Sequence, residues 1–564
     1  MDGGPLLEID SLTFRYRRAT EPAIRDISLT VQPGEVLLVA GPSGCGKSTL
    51  IRAINGLIPH AYPGEMSGVV RVAGRDTSEL RLREISLEVG TLLQDPAKQI
   101  VGSTVESELA FGPENLGWDS TAMRARIGEV SEEAGIGALA GRETYALSGG
   151  ERQLLAMAGA LMLRPRMYVV DEPLANLDPL TADHLLEVLR GLADAGHAVV
   201  IVEHRVEEAL QLRPDRVLYL QESRVVYLGP VDGFLRIADP ESVKLPFEVT
   251  LERERGRAAP VNPPAARPTK RPNDGAPPRL AFHGVHVRLG EREVLQGLDT
   301  SLAAQGVVAV LGPNGSGKTT MFRTGMGLLR PTSGSVEVDG GPARARSVAE
   351  LARVFGYVFQ SPSQMLFSRT VRDELLFGPR NLGHEIEDPN EFAMAILRRT
   401  SLDGVDDILA RPPMTLSFGQ QKRLALAIAL ALEPPTLILD EPSAGQDHRT
   451  ANGFLDEVRA IAGLESTYLI THDVDLALTR ADRILVIRDG RVVADGSPAV
   501  VIRNEKEWRA CNLHQTSLMR ANMAWLPVGH DFLDATSLAR AILAQEHAAS
   551  SGKEGGVNDR PTLT

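Results

Sequence analysis

One nine-residue pattern occurs twice in this chain: Gly41 to Thr49 reads GPSGCGKST, and Gly312 to Thr320 reads GPNGSGKTT. Both are glycine loops ending in lysine and a hydroxyl residue, a turn whose backbone N–H groups point at phosphate oxygens. The loop lysines, Lys47 and Lys318, stand 271 positions apart. Later landmarks recur at nearly that spacing: Gln94 and Gln360 are 266 apart, Ser148 and Ser417 269, Asp171 and Asp440 269, and His204 and His472 268. A lone glycine loop arises easily by chance. An ordered set that recurs in register does not, so the chain must fold as two copies of one nucleotide-hydrolysing unit.

Length agrees with duplication, since 564 residues exceed one ordinary core. A net charge of −13 argues against a protein held to nucleic acid by its overall field. With only two cysteines, Cys45 and Cys511, no disulfide framework is expected. The opening MDGGPLLEID lacks the basic start and apolar core of a signal peptide. The most apolar stretch, Leu424 to Leu432, is too short to span a bilayer.

The first unit is expected over residues 1–247, with VLLVA, MYVVD and AVVIVE as buried parallel strands and a hairpin over Val217 to Gly229. The second, over 280–505, repeats that order and ends in a hairpin over Ile484 to Gly496. Between them, 248–279 is rich in proline and arginine and is expected to be an extended linker. A partly helical extension over 506–549 and a disordered tail over 550–564 complete the chain.

The loops, Gly41, Pro42, Ser43, Gly44, Cys45, Gly46, Lys47, Ser48 and Thr49 in one unit and Gly312, Pro313, Asn314, Gly315, Ser316, Gly317, Lys318, Thr319 and Thr320 in the other, are candidate phosphate cradles. Lys47 and Lys318 are suited to the β- and γ-phosphates, and Ser48 and Thr319 to Mg²⁺. Strands ending in Asp171-Glu172 and Asp440-Glu441 place paired carboxylates at the sheet edge where open parallel sheets bind ligands. The aspartates suit Mg²⁺, with Gln94 and Gln360 as further candidates. Glu172 and Glu441 suit a general base. His204 and His472 end the next strand, where an imidazole can bond the γ-phosphate. Ser148, Gly149 and Gly150, and Ser417 and Gly419, start long helices and read either as anion sites or as plain caps. Cys45, at a helix start beside Lys47, is expected to favour the thiolate.

Loop, glutamine, LSGG-type segment, acidic strand and histidine, in that order, resemble the ATP-binding cassette ATPases. The resemblance implies an α/β fold of two tandem P-loop domains. Each would have a mainly parallel core sheet, an antiparallel β subdomain and a helical subdomain. It also implies two ATP molecules, each sandwiched between one unit's phosphate loop and the other unit's signature serine. Tyr16 matches the aromatic residue that stacks on adenine, whereas the second unit has Leu289 there.

A narrower resemblance follows each glutamine. STVESELAFGPENLG (Ser103 to Gly117) and RTVRDELLFGPRNLG (Arg369 to Gly383) are similar to a segment of energy-coupling-factor and cobalt-type importer ATPases. That resemblance implies a peripheral protein at the cytoplasmic membrane face. Its implied partners are an integral membrane coupling protein and a substrate-binding membrane subunit, with a vitamin, vitamin precursor or transition-metal ion as cargo. Glu108 and Glu374 are candidate acidic partners for a basic coupling helix. The rival readings are a fused sugar-importer ATPase, a ribosome-associated tandem ATPase with no membrane partner, and a non-hydrolysing scaffold. The short, proline-broken linker opposes the ribosomal reading, and the intact Lys, Asp, Glu and His sets oppose the scaffold.

Overall fold

The computed structural model describes all residues except 1–3, 18, 176, 258–277, 504–507, 509, 510, 512, 514, 526–531 and 552–564. The first unit contributes strands β1 (Leu7–Tyr16), β2 (Ile24–Val31), β3 (Val36–Ala40), β4 (Gly64–Val72), β5 (Arg75–Asp76), β6 (Val89–Leu92), β7 (Met167–Asp171), β8 (Ala198–Val202), β9 (Arg216–Gln221) and β10 (Arg224–Gly229). Two sheets result: a four-stranded one ordered β2-β1-β4-β5 and a six-stranded one ordered β10-β9-β3-β8-β7-β6. Strands β9, β3, β8, β7 and β6 run parallel, and β10 closes the edge antiparallel to β9 as the expected hairpin. Every residue of β3, β7 and β8 is buried, which is why they read as apolar runs, broken only by Asp171 at the end of β7.

The second unit repeats this with β11 (Leu280–Leu289), β12 (Arg292–Leu302), β13 (Gly306–Leu311), β14 (Ser333–Val338), β15 (Gly341–Pro342), β16 (Phe355–Val358), β17 (Thr436–Asp440), β18 (Ser466–Ile470), β19 (Arg483–Arg488) and β20 (Arg491–Gly496). Its sheets are ordered β12-β11-β14-β15 and β16-β17-β18-β13-β19-β20, the same topology. Both core sheets therefore carry their phosphate loop on a central strand, β3 or β13. The acidic strand, β7 or β17, lies two places away, beyond the strand that ends at the histidine.

The extended linker needs correction at its start. Phe247–Gly256 is a helix, because Phe247 and Leu251 find an apolar surface formed by Leu538, Ala539 and Ile542 of the helix Ala535–Ser551. Arg540 pairs with Glu254 at 2.9 Å along the same seam. The C-terminal extension thus folds back onto the first unit. Residues 258–277 of the expected linker, and the expected tail from 552 onward, lie outside the described residues.

Candidate functional site

Each phosphate loop runs from a buried strand into a helix, Lys47–Ile54 or Lys318–Gly325. The residue before each helix, Gly46 or Gly317, has φ near 107° or 104°, left-handed backbone that a side chain would strain. A Cβ at Gly46 would also collide with the Ala23 carbonyl. Lys47 Nζ donates to the Gly41 and Pro42 carbonyls at 2.9 and 2.8 Å, and Lys318 Nζ to those of Gly312 and Pro313 at 2.7 and 3.0 Å. Both ammonium groups are thereby held over the cradle.

At the end of β7, His204 Nε2 lies 2.9 Å from Glu172, and Gln94 Nε2 donates to the same carboxylate at 2.7 Å. In the second unit His472 Nδ1 lies 2.9 Å from Glu441. Burial works to raise both glutamates, but their histidines and the loop lysines outweigh it and hold each carboxyl below its ordinary range. Both glutamates also have left-handed backbone, φ 46° and 49°. Such strain costs about 1–3 kcal/mol at a non-glycine residue and clusters at functional sites. It recurs at the same position in both units, as it also does at Arg164 and Glu433.

The aspartates behave differently. Burial, then Glu172, pushes Asp171 up to about 6, against the Ser48 hydroxyl and Lys47. Burial likewise pushes Asp440 up to about 6, although it accepts hydrogen bonds from Tyr357 at 2.5 Å and Thr319 at 3.2 Å. Asp171 Oδ1 is buried with no partner among the described residues. A hydroxyl beside an underused carboxylate oxygen is a hard-oxygen donor set of the kind Mg²⁺ takes. A cavity of about 160 Å³ lies over the second loop, bounded by Lys318, Thr319, Gln360, Asp440 and Glu441.

Ser148 and Ser417 cap the helices Gly149–Leu161 and Phe418–Leu430, accepting from Glu151 N and Gln420 N at 3.3 Å. The first of these ends meets the opposite unit. A Cβ on Gly150 would lie 3.6 Å from Asn314 in the second phosphate loop. Ser43 N, in the first loop, donates to Asp447 of the second unit at 2.8 Å. Tyr16 and Leu289 are each the last residue of a ten-residue strand. Tyr16 is fixed by Arg52 at 2.7 Å and Thr49 at 3.1 Å, whereas Leu289 is exposed.

Two expectations fail. Glu108 and Glu374 are buried and face inward, each accepting two backbone N–H groups: Val101 and Gly102 at 2.8 and 2.7 Å, Phe367 and Ser368 at 3.0 and 2.7 Å. They brace the turn that enters their helix and are not surface partners. Cys45 is 4% exposed, and burial raises its thiol despite Lys47, so the thiolate is disfavoured.

Sequence reasoning missed the cross-unit residues. Asp178 and Asp447 stand 269 apart, the same spacing as the acidic strands, and that signal could have found them. Arg205 and Lys244 carry no such repeat, and Asp475 is matched only by another acid, Glu207. Lys244 pairs with Asp475 at 2.9 Å across the interface and with Glu208 at 3.3 Å.

Two phosphate cradles, each faced by residues of the opposite unit, define a tandem nucleotide-binding P-loop protein. The ABC transporter family profile matches residues 24–175 and 295–444. The chain belongs to that family, as a duplicated ATP-binding, ATP-hydrolysing protein. A Methanosarcina acetivorans protein described as an ABC transporter ATP-binding protein is 34% identical over 553 residues, covering 91% of this chain and 89% of that one. One of the same description from Lactiplantibacillus plantarum is 32% identical, covering 96% and 99%. A solved structure of cbiO1 from Clostridium perfringens, described as part of the ABC transporter complex cbiONQ, is 32% identical. It covers 42% of this chain and 95% of its own, with a TM-score of 0.36.

Proposed function

We propose that this chain is the ATP-hydrolysing subunit of a membrane import complex of the energy-coupling-factor type. The observation that carries the reading is the paired helices Val105–Asn115 and Val371–Asn381. Both contain E-L-x-F-G-P-x-N, bury the glutamate in the preceding turn and leave the phenylalanine, Phe111 or Phe377, about half exposed at 51% and 52%. Phe367, 65% exposed, packs edge-on against Phe377 at 4.8 Å. One exposed aromatic side chain means little. The same one presented twice, on the helix that follows each glutamine loop, supplies two matched apolar anchors for a partner. Among the described residues no helix is long and apolar enough to cross a membrane, so the membrane path would belong to partner subunits.

In this reading Lys47 and Lys318 steady the phosphates, and Glu172 and Glu441 accept the proton of the attacking water. His204 and His472 hold those carboxylates in place. Ser48, Asp171 and Gln94, and Thr319, Asp440 and Gln360, are the groups that would hold Mg²⁺, which supplies charge neutralisation when bound. The cargo class, a vitamin, vitamin precursor or transition-metal ion, and the cytoplasmic membrane face follow from the sequence resemblance.

The test is co-purification from detergent-solubilised membranes with the membrane proteins encoded beside this gene. The native chain should be retained. Phe111→Asp with Phe377→Asp should abolish retention while leaving ATP binding intact. Sedimentation with ribosomes and no membrane retention would sink the proposal.

A further inference from the structure

Arg205 reaches from one catalytic centre to the other. It directly follows His204, at a position that holds Asp473 in the second unit. Its Nη1 donates at 3.0 Å to the carbonyl of Leu174, two residues beyond Glu172. The same Nη1 lies 3.5 Å from Nε2 of His472, whose Nδ1 faces Glu441 at 2.9 Å. Glu208 anchors the other end of the guanidinium at 3.0 Å, and Asp473 of the second unit adds attraction from across the interface.

The two histidines are turned opposite ways. His204 presents Nε2 to its glutamate, whereas His472 presents Nδ1 and leaves Nε2 to Arg205. A guanidinium only donates, so a hydrogen bond at this contact requires Nε2 of His472 to accept and the ring hydrogen to lie on Nδ1, directed at Glu441. The first site has no counterpart, because Asp473 stands where an arginine would be needed. A contact of 3.5 Å is long for a hydrogen bond, and catalytic contacts commonly tighten only in the reacting complex.

We propose that Arg205 is a positioning residue for the second hydrolytic site, supplied by the first unit. It sets the ring of His472, and through it Glu441, when the two units are closed. The second site therefore completes its catalytic arrangement only with the first unit's Leu174 loop in place. The first site has no equivalent requirement for a residue of the second unit at position 473.

The test uses the full chain and 8-azido-ATP photolabelling, with labelled peptides located by mass spectrometry. Labelling without vanadate reads ground-state binding, and labelling after vanadate trapping reads the transition-state arrangement. Arg205→Ala should cut trapped labelling at residues 312–320 by at least about fivefold and at 41–49 by less than about twofold, with ground-state labelling unchanged. Arg205→Lys has one compact donor in place of the fork, and should give a smaller loss with the same site preference. Equal losses at both loops, or a loss confined to the first, would overturn the proposal. If the alanine chain loses ground-state labelling, the lysine chain decides: a second-site-selective loss supports the assignment, and an unselective or absent one refutes it.

Discussion

The backbone N–H of Ser43 donates to the Asp447 carboxylate at 2.8 Å, tying the first phosphate loop to the second unit. The same carboxylate caps the helix His448–Ala460 through Thr450 N at 2.8 Å. Burial opposes its charge, yet the Thr450 and Ser43 N–H groups hold its pKa below the ordinary value. That stabilisation is present above the unfolded pKa and is lost as pH falls through the folded one. Asp447→Ala should cost about 1 kcal/mol through the lost cap alone. It should also weaken ATP binding at the first site, measured in a Lys318→Ala chain. Unchanged binding there would reduce the contact to a helix cap.

If Asp171 and Asp440 hold Mg²⁺ as proposed, its binding should depend on pH. Asp171 and Asp440, both pushed up to about 6, hold a proton below that value, and the ion must displace it. Affinity should therefore be full above about pH 7 and fall as pH drops through 6, by about tenfold at pH 5. Mg²⁺ titrations of ATP binding at pH 7.5 and 5 check this. Equal affinities would mean that neither carboxyl meets the metal.

The sites should differ in nucleotide affinity. Tyr16 is held by Arg52 and Thr49 at the end of β1, whereas Leu289 offers no aromatic face. Stacking of a base on an aromatic ring contributes about 1–3 kcal/mol, roughly a five- to hundredfold change in affinity. ATP titrations of Lys47→Ala and Lys318→Ala chains separate the two sites, and the first should bind more tightly. Equal affinities would remove the asymmetry.

Cys45 should be unreactive in the folded chain. Its thiol is buried beneath the loop with a raised pKa, and Cys511 is buried too. Iodoacetamide at pH 7.5 should modify neither until denaturant is added, as read by intact mass. Rapid labelling of Cys45 in the native chain would show that the loop opens more than its packing suggests.

What the sequence reveals here is what is written locally. The run at 36–40 and the residues that precede Asp171 in its strand are apolar because the strands are covered on both faces, and the glycine loops are fixed by spacing. Partners far apart in the chain stay hidden. The helix from Phe247 is ordered by Leu538 and Ile542, nearly 300 residues later. Arg205 meets His472 across 267 positions. Glu108 and Glu374 have a helix-start acid's sequence signature, but the fold turns them onto backbone N–H groups. Cys45 departs from the expected thiolate for the same reason. Its lysine neighbour is local, and the burial that outweighs it is not.

In the proposed function Glu172 and Glu441 are the two hydrolytic bases, each held by its histidine. The most direct measurement is steady-state ATP hydrolysis by the Glu172→Gln, Glu441→Gln double variant, alongside Mg-ATP binding. Losing the proton acceptor while keeping shape should slow turnover by about 10²- to 10⁴-fold with binding retained. Unchanged hydrolysis in the double variant would contradict the account.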